Sequence, residues 1–240
     1  MSPEGLIRWA FETYGERFAL VTSFQSEGMI LLDMAVRIAP SIRVITIDTG
    51  RLPEETHQVI RTASARYGVS VEIVEPDRVE VESMVGRHGV DLFRNDVAYR
   101  KLCCQIRKVR PLEKTLRELD AWAVGLRRDQ SEARASLRRA EIAEGRLKLS
   151  PLADWTALDV EDYLDKHDVP RHPLYAAGYA SIGCAPCTRA IQPGEHERAG
   201  RWWWELGTDK ECGIHFTANG KAARQVDVLL DEVLAAAGHA

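Results

Sequence analysis

Five cysteines fall in a four-plus-one arrangement: Cys103 and Cys104 are adjacent, Cys184 and Cys187 form a C-x-x-C, and Cys212 stands apart. The pattern suggests a four-ligand site and a separate reactive thiol. In a reducing compartment an odd number of cysteines argues against a disulfide framework. A C-x-x-C is compatible with a redox pair, half a zinc site or half an iron–sulfur site. Neighbouring side chains diverge, so an adjacent Cys-Cys pair suits the separate corners of a cubane better than one small ion. Spacing alone favours a cluster and leaves zinc and unligated core thiols open.

The charges around these cysteines carry further information. Arg94, Arg100, Lys101, Arg107, Lys108 and Arg110 surround the first pair, with only Asp96 opposing them. Cations stabilise an anionic thiolate centre, although a basic run is otherwise a solvated helix face. Cys212 sits in T-D-K-E-C-G-I-H, a polar setting unlike a core. Lys210 and His215 are placed to favour its thiolate, the form that acts as nucleophile. A lone cysteine without such neighbours is more commonly an inert buried one.

The elements that must position these groups alternate between strand-like and helix-like patterns. Apolar runs at 18–23, 42–48, 69–74 and 121–125 read as strands. An amphipathic stretch covers 29–38, and Pro53 with Glu54 and Glu55 opens a helix to about Tyr67. Such alternation predicts an α/β fold with a parallel sheet and helices on both faces. Ligands then bind beyond the carboxyl ends of the strands, which gathers 23–28, 48–52 and 125–131 around one crevice. A helix is expected over 154–167, capped by Asp154 or Thr156. Beyond Val169 the chain turns Pro-, Gly- and aromatic-rich with no strand signal, and 222–237 reads as a surface helix or dimer contact. We read a single domain over 1–240: a nucleotide-binding core at 1–150, a cluster-binding and catalytic tail at 151–216 and an extension at 217–240.

Composition narrows the class. The 240 residues are 45% hydrophobic and 28% charged, with net charge −4. That balance supports a buried core and argues against bulk electrostatic binding of nucleic acid. No apolar run approaches the roughly 20 residues of a membrane span, and the N-terminal stretch lacks the basic start and apolar run of a secretory signal. The expected location is cytoplasmic, without membrane or nucleic-acid partners, and a homo-oligomer is compatible.

Several motifs together resemble the cluster-containing assimilatory adenylyl-sulfate (APS) reductases of the phosphoadenylyl-sulfate (PAPS) reductase family. They are T-S-F-Q-S-E at 22–27, D-T-G-R-L-P-E-E-T at 48–56, R-K-L-C-C-Q-I-R-K at 100–108, G-L-R-R-D-Q-S at 125–131, H-P-L-Y at 172–175, S-I-G-C-A-P-C-T-R at 181–189, R-A-G-R-W-W-W-E at 198–205 and K-E-C-G-I-H at 210–215. The resemblance implies the adenine-nucleotide α-hydrolase-like fold. It also implies one [4Fe–4S] cluster on Cys103, Cys104, Cys184 and Cys187. By the same resemblance, the Cys212 thiolate attacks the sulfate sulfur of APS, AMP leaves, and reduced thioredoxin or a similar thiol donor releases sulfite from the S-sulfocysteine. Lys108, Arg127, Arg198, Arg201 and His215 would face the phosphosulfate. Ser23, Phe24, Glu27, Thr49 and Gly50 would contact the nucleotide. PAPS reduction, or acceptance of both nucleotides, is the alternative. An ATP pyrophosphatase of the same fold would carry S-G-G-x-D-S where this chain has S-F-Q-S-E-G.

Overall fold

The computed structural model describes residues 1–205 and 221–238, so Lys210, Cys212 and His215 lie outside the described residues. Six strands form one sheet: β1 (Phe18–Val21), β2 (Arg43–Ile47), β3 (Val71–Val74), β4 (Ala121–Val124), β5 (Ala140–Ala143) and β6 (Arg146–Leu149), in the order β3-β2-β1-β4-β6-β5. All neighbouring pairs are parallel except β5 with β6. The four expected strands are present, each slightly shorter than its apolar run. The β5–β6 hairpin was not expected. It turns at Glu144 and Gly145, whose φ angles of 51° and 78° suit a tight two-residue connection.

Central strands are mostly apolar because both faces are covered. On one face Phe18, Leu20, Val44, Ala121 and Ala123 pack against α1 (Pro3–Tyr14), α2 (Ser26–Ile38), α3 (Glu54–Tyr67) and α7 (Ala157–Lys166). On the other, Ala19, Ile45 and Trp122 pack with Leu119 and with Leu116 of α6 (Arg110–Leu116). A further cluster joins α4 (Arg78–His88), α5 (Val97–Cys104) and α8 (Lys221–Ala236) around Trp202, Phe93 and Leu102. The apolar stripe of α8 is therefore filled within the chain: Leu229 and Val233 are buried, and Ser83 Oγ donates to the Val233 carbonyl at 3.0 Å. Among the described residues, no helix is long and apolar enough to cross a membrane.

Local chemistry starts and stops these elements. Ser2, Asp77, Asp96 and Thr156 each accept backbone N–H groups at a helix start, satisfying donors the helix leaves unpaired. Thr156, not Asp154, caps α7. Between α5 and α6 the helix widens to a π turn over Gln105–Val109, a local irregularity often found at functional sites. Beyond α7, to Glu205, the described chain forms turns and short 3₁₀ segments, with one bridge between Thr188 and Arg201. Arg198 lies on a turn and Arg201 in that bridge.

Candidate active site: a cysteine-lined nucleotide crevice

At the carboxyl ends of β1, β2 and β4 the sheet opens onto a cavity of about 540 Å³. This is where the strand order reverses: β1 leads outward to β2 and β3, while β4 and β6 lie on its other side. Its walls include Ser23 and Glu27 after β1, Thr49 and Arg51 after β2, and Arg127 and Gln130 after β4. All four candidate ligands, Cys103, Cys104, Cys184 and Cys187, line the same cavity, as do Lys108, Arg198 and Arg201.

The loop after β1 is held tightly. Thr22 N–H donates to the Ile45 carbonyl at 2.9 Å, extending the ladder, and Thr22 Oγ1 accepts from Phe24 N–H at 3.0 Å. Phe24 takes a left-handed φ of 57°, sparsely populated for so bulky a residue. Its side chain is fully buried in the core and is not among the cavity-lining residues. Gly50 is also absent from the lining. It makes the turn after β2 at φ 69°, and its N–H donates to Asp48 Oδ1 at 2.8 Å.

Arg127 is almost wholly buried. Its Nε donates to Glu27 Oε1 at 2.8 Å and its Nη1 to Asp129 Oδ2 at 3.2 Å, while Gln130 Nε2 donates to the same Glu27 oxygen at 2.9 Å. Gly125 permits this approach. A Cβ there would lie 2.8 Å from the Glu27 backbone and 2.9 Å from Gly28 N.

The segment over 172–188 works as a strap across the crevice. The His172 ring is buried; Nδ1 accepts from Leu174 N–H, so Nε2–H donates to Thr56 Oγ1 at 3.0 Å. Burial holds this imidazole below its ordinary pKa. Tyr175 Oη accepts the Ser26 N–H at 3.2 Å, satisfying a first-turn donor of α2. Burial pushes the Tyr175 hydroxyl up to about 12. Further along, Ile182 N–H donates to Gln25 Oε1 at 2.8 Å and Ala185 N–H to the Arg51 carbonyl at 2.8 Å. The strap thus delivers Cys184 and Cys187 opposite the helix that carries Cys103 and Cys104.

The four thiols are free. Burial, then the nearby Cys184, pushes Cys103 up to about 11 and Cys187 up to about 12. Arg107 and Arg51 oppose the rise at Cys103; Arg201 and Arg51 oppose it at Cys187. Cys184 Sγ lies 3.2 Å from Thr49 Oγ1. Among the described residues, no three His, Cys, Asp or Glu side chains are arranged to hold a single metal ion. The donor chemistry nevertheless fits an iron–sulfur cluster. Four sulfur donors line one cavity, the Cys103 and Cys187 thiolates are disfavoured by burial and by Cys184, and arginines stand beside them, so a multi-metal cationic core would relieve that cost.

Arg107, one of the cations expected around the first cysteine pair, lines the cavity, as do Arg51, Tyr175 and Glu197, which the sequence did not single out. Arg51 lies in D-T-G-R-L-P-E-E-T, where its charge beside the second strand's end was a usable signal. Arg51 spans to the Val90 carbonyl and sits over the Phe93 ring at 4.9 Å, while Arg107 Nη1 donates to the Thr49 carbonyl at 2.8 Å. Trp202 is buried between two guanidinium groups, Arg100 at 4.3 Å and Arg201 at 4.5 Å from its ring centre.

Comparison with known proteins agrees with this geometry. Residues 17–190 match the model of the phosphoadenosine phosphosulfate reductase domain. The chain is 46% identical over 204 residues to an adenosine 5′-phosphosulfate reductase from Burkholderia cepacia, covering 84% of this chain and 82% of that one. It is 44% identical over 202 residues to one from Allochromatium vinosum, covering 83% and 79%. A crystal structure of a phosphoadenylyl-sulfate reductase from Candida auris superposes with TM-score 0.66 at 29% identity, covering 80% of this chain and 91% of that one. With more than half its length matched by the domain and its crevice at the expected sheet edge, the chain belongs to the phosphoadenosine phosphosulfate reductase family.

Proposed function

We propose that the protein is an oxidoreductase of assimilatory sulfate reduction that converts APS to sulfite and AMP. The observation that carries this reading is the convergence of four cysteines, Lys108, Arg198 and Arg201 on the crevice where an α/β sheet binds nucleotides. The two bacterial relatives cited above are named adenosine 5′-phosphosulfate reductases, which supports APS as the substrate.

In the proposed reaction the Cys212 thiolate attacks the sulfate sulfur, the bond from that sulfur to the AMP phosphate oxygen breaks, and AMP leaves with the electron pair. Lys108, Arg127, Arg198, Arg201 and His215 offset charge on the leaving phosphate. Ser23, Glu27 and Thr49 are placed to contact the nucleotide. A dithiol such as reduced thioredoxin then attacks Cys212 Sγ, sulfite departs, and the second thiol closes a disulfide on the reductant, which supplies both electrons. Cys103, Cys104, Cys184 and Cys187 would hold one [4Fe–4S] cluster, which supplies a fixed charge centre beside Lys108 and not electrons.

The test is direct. Incubation with APS and no reductant should add about 80 Da, one SO₃, to Cys212, as a trapped covalent intermediate requires. Reduced thioredoxin should remove it as sulfite. Cys212→Ser should abolish turnover while anaerobically purified protein keeps about four irons per chain, and Cys184→Ser should lose them. An adduct on another cysteine refutes the mechanism.

A further inference from the structure

The two cysteine pairs come from distant parts of the chain, and Arg51 touches the support of each. Through its backbone it holds the strap. Its carbonyl accepts the N–H of Ala185, the residue after Cys184, at 2.8 Å. Its own N–H donates to Thr49 Oγ1 at 3.3 Å, the oxygen that lies 3.2 Å from Cys184 Sγ. Through its side chain it holds the connection between α4 and α5. Nη1 donates to the Val90 carbonyl at 2.9 Å, and the guanidinium covers the Phe93 ring at 4.9 Å from its centre. Phe93 is buried and belongs to one apolar cluster with Leu102, Cys103 and Cys187. Asp91, 3.5 Å from Nη2, is too exposed for that contact to carry much. A planar guanidinium can bond a carbonyl at its edge while stacking on an aromatic face, a combination that a point-like ammonium does not match.

We propose that Arg51 is a positioning residue for the cluster site: it clamps the α4–α5 connection to the strap and so fixes the Cys103–Cys104 pair relative to the Cys184–Cys187 pair. The inference rests on the cluster reading above. Groups that hold metal ligands without touching the metal typically cost about 10–100-fold in metal affinity when removed. Losing the Arg51 side chain leaves its backbone bond to Ala185 in place. The strap then keeps its own anchor, and only the link toward α5 is released. The lost cation acts in the same direction, because it opposes the rise in thiol pKa at both Cys103 and Cys187.

The experiment uses the full chain purified without oxygen. It follows iron transfer to a ferrous chelator and the visible circular dichroism of the protein, which reports how sulfurs are arranged around the irons. Arg51→Met should release iron at least about tenfold faster than the parent. Its visible spectrum should change while the far-ultraviolet spectrum stays the same. A role confined to general stability would leave the visible spectrum of the folded protein unaltered. Arg51→Lys keeps the charge but not the planar fork, so it should recover only part of the retention. The lysine variant also decides the matter if Arg51→Met does not fold. Release from Arg51→Met at the parent's rate, an unchanged visible spectrum, or a lysine variant that behaves as the parent overturns the clamp while the cluster reading stands. If the parent binds no iron, the cluster reading itself fails and the clamp with it.

Discussion

Removing the Glu27 carboxylate should destabilise the fold out of proportion to one lost contact. Arg127 and Glu27 are joined at 2.8 Å with side chains only 5% and 11% exposed. Charge centres about 4 Å apart attract by about 4 kcal/mol at an effective dielectric near 20. Desolvation offsets much of this, so the intact pair contributes little net stability. Breaking it leaves a buried guanidinium uncompensated, which costs about 3–5 kcal/mol. Asp129 still contacts Arg127 at 3.2 Å but is 58% exposed, which places Glu27→Ala near the lower end, about 3 kcal/mol. For a chain of this size that is a melting-temperature drop of roughly 6–12 °C. Urea unfolding followed by circular dichroism should show a lower midpoint at unchanged slope. Adding Arg127→Met should recover most of the loss, because no orphan charge remains. Glu54→Ala, which breaks the exposed Arg61–Glu54 pair, should leave the midpoint where it was. An unchanged midpoint for Glu27→Ala, or no recovery in the double variant, would refute the reasoning.

Two further outcomes are expected. Gly125→Ala should destabilise by about 1–3 kcal/mol and weaken AMP binding measured by calorimetry, because its methyl group meets the backbone of Glu27 and Gly28. His172 is held neutral with its pKa lowered by burial, so the unfolded chain takes up protons first as pH falls. Its contribution is present above the ordinary imidazole value of about 6.5 and is lost below it. Replacing His172 by Gln should flatten the stability profile between about pH 7 and 5 in urea titrations.

The central strands were legible because burial on both faces writes itself as mostly apolar runs, as in F-A-L-V and the V-I-T-I of β2. The edge hairpin was not. Strand β5 alternates exposed and half-buried positions over four residues, too short and too polar to stand out. Cysteine spacing revealed the four-sulfur wall, since residue type alone carried the chemistry. The placement of Tyr175 was hidden: its role depends on a hydrogen bond to Ser26, 149 positions away. Glu197 is one acid among many in a charged turn, and only the fold shows that it faces inward. The π turn at Gln105–Val109 left no mark in side-chain pattern.

The strap also dictates an order of assembly. Cys103 and Cys104 ride on α5, which packs on Leu92 and Phe93 nearby but also on Trp202 and α8 far along the chain, while Cys184 and Cys187 are anchored by bonds to Gln25, Arg51 and Thr49. Those anchors exist only after the parallel layer β1-β2-β4 has formed, and such non-local pairing is slow. During synthesis the first cysteine pair therefore waits, half of a site, for a partner that has not yet been made. Any metal delivered early meets two thiols and an arginine-rich helix. The complete sulfur wall therefore draws on segments from both halves of the chain and is assembled only with the tertiary fold.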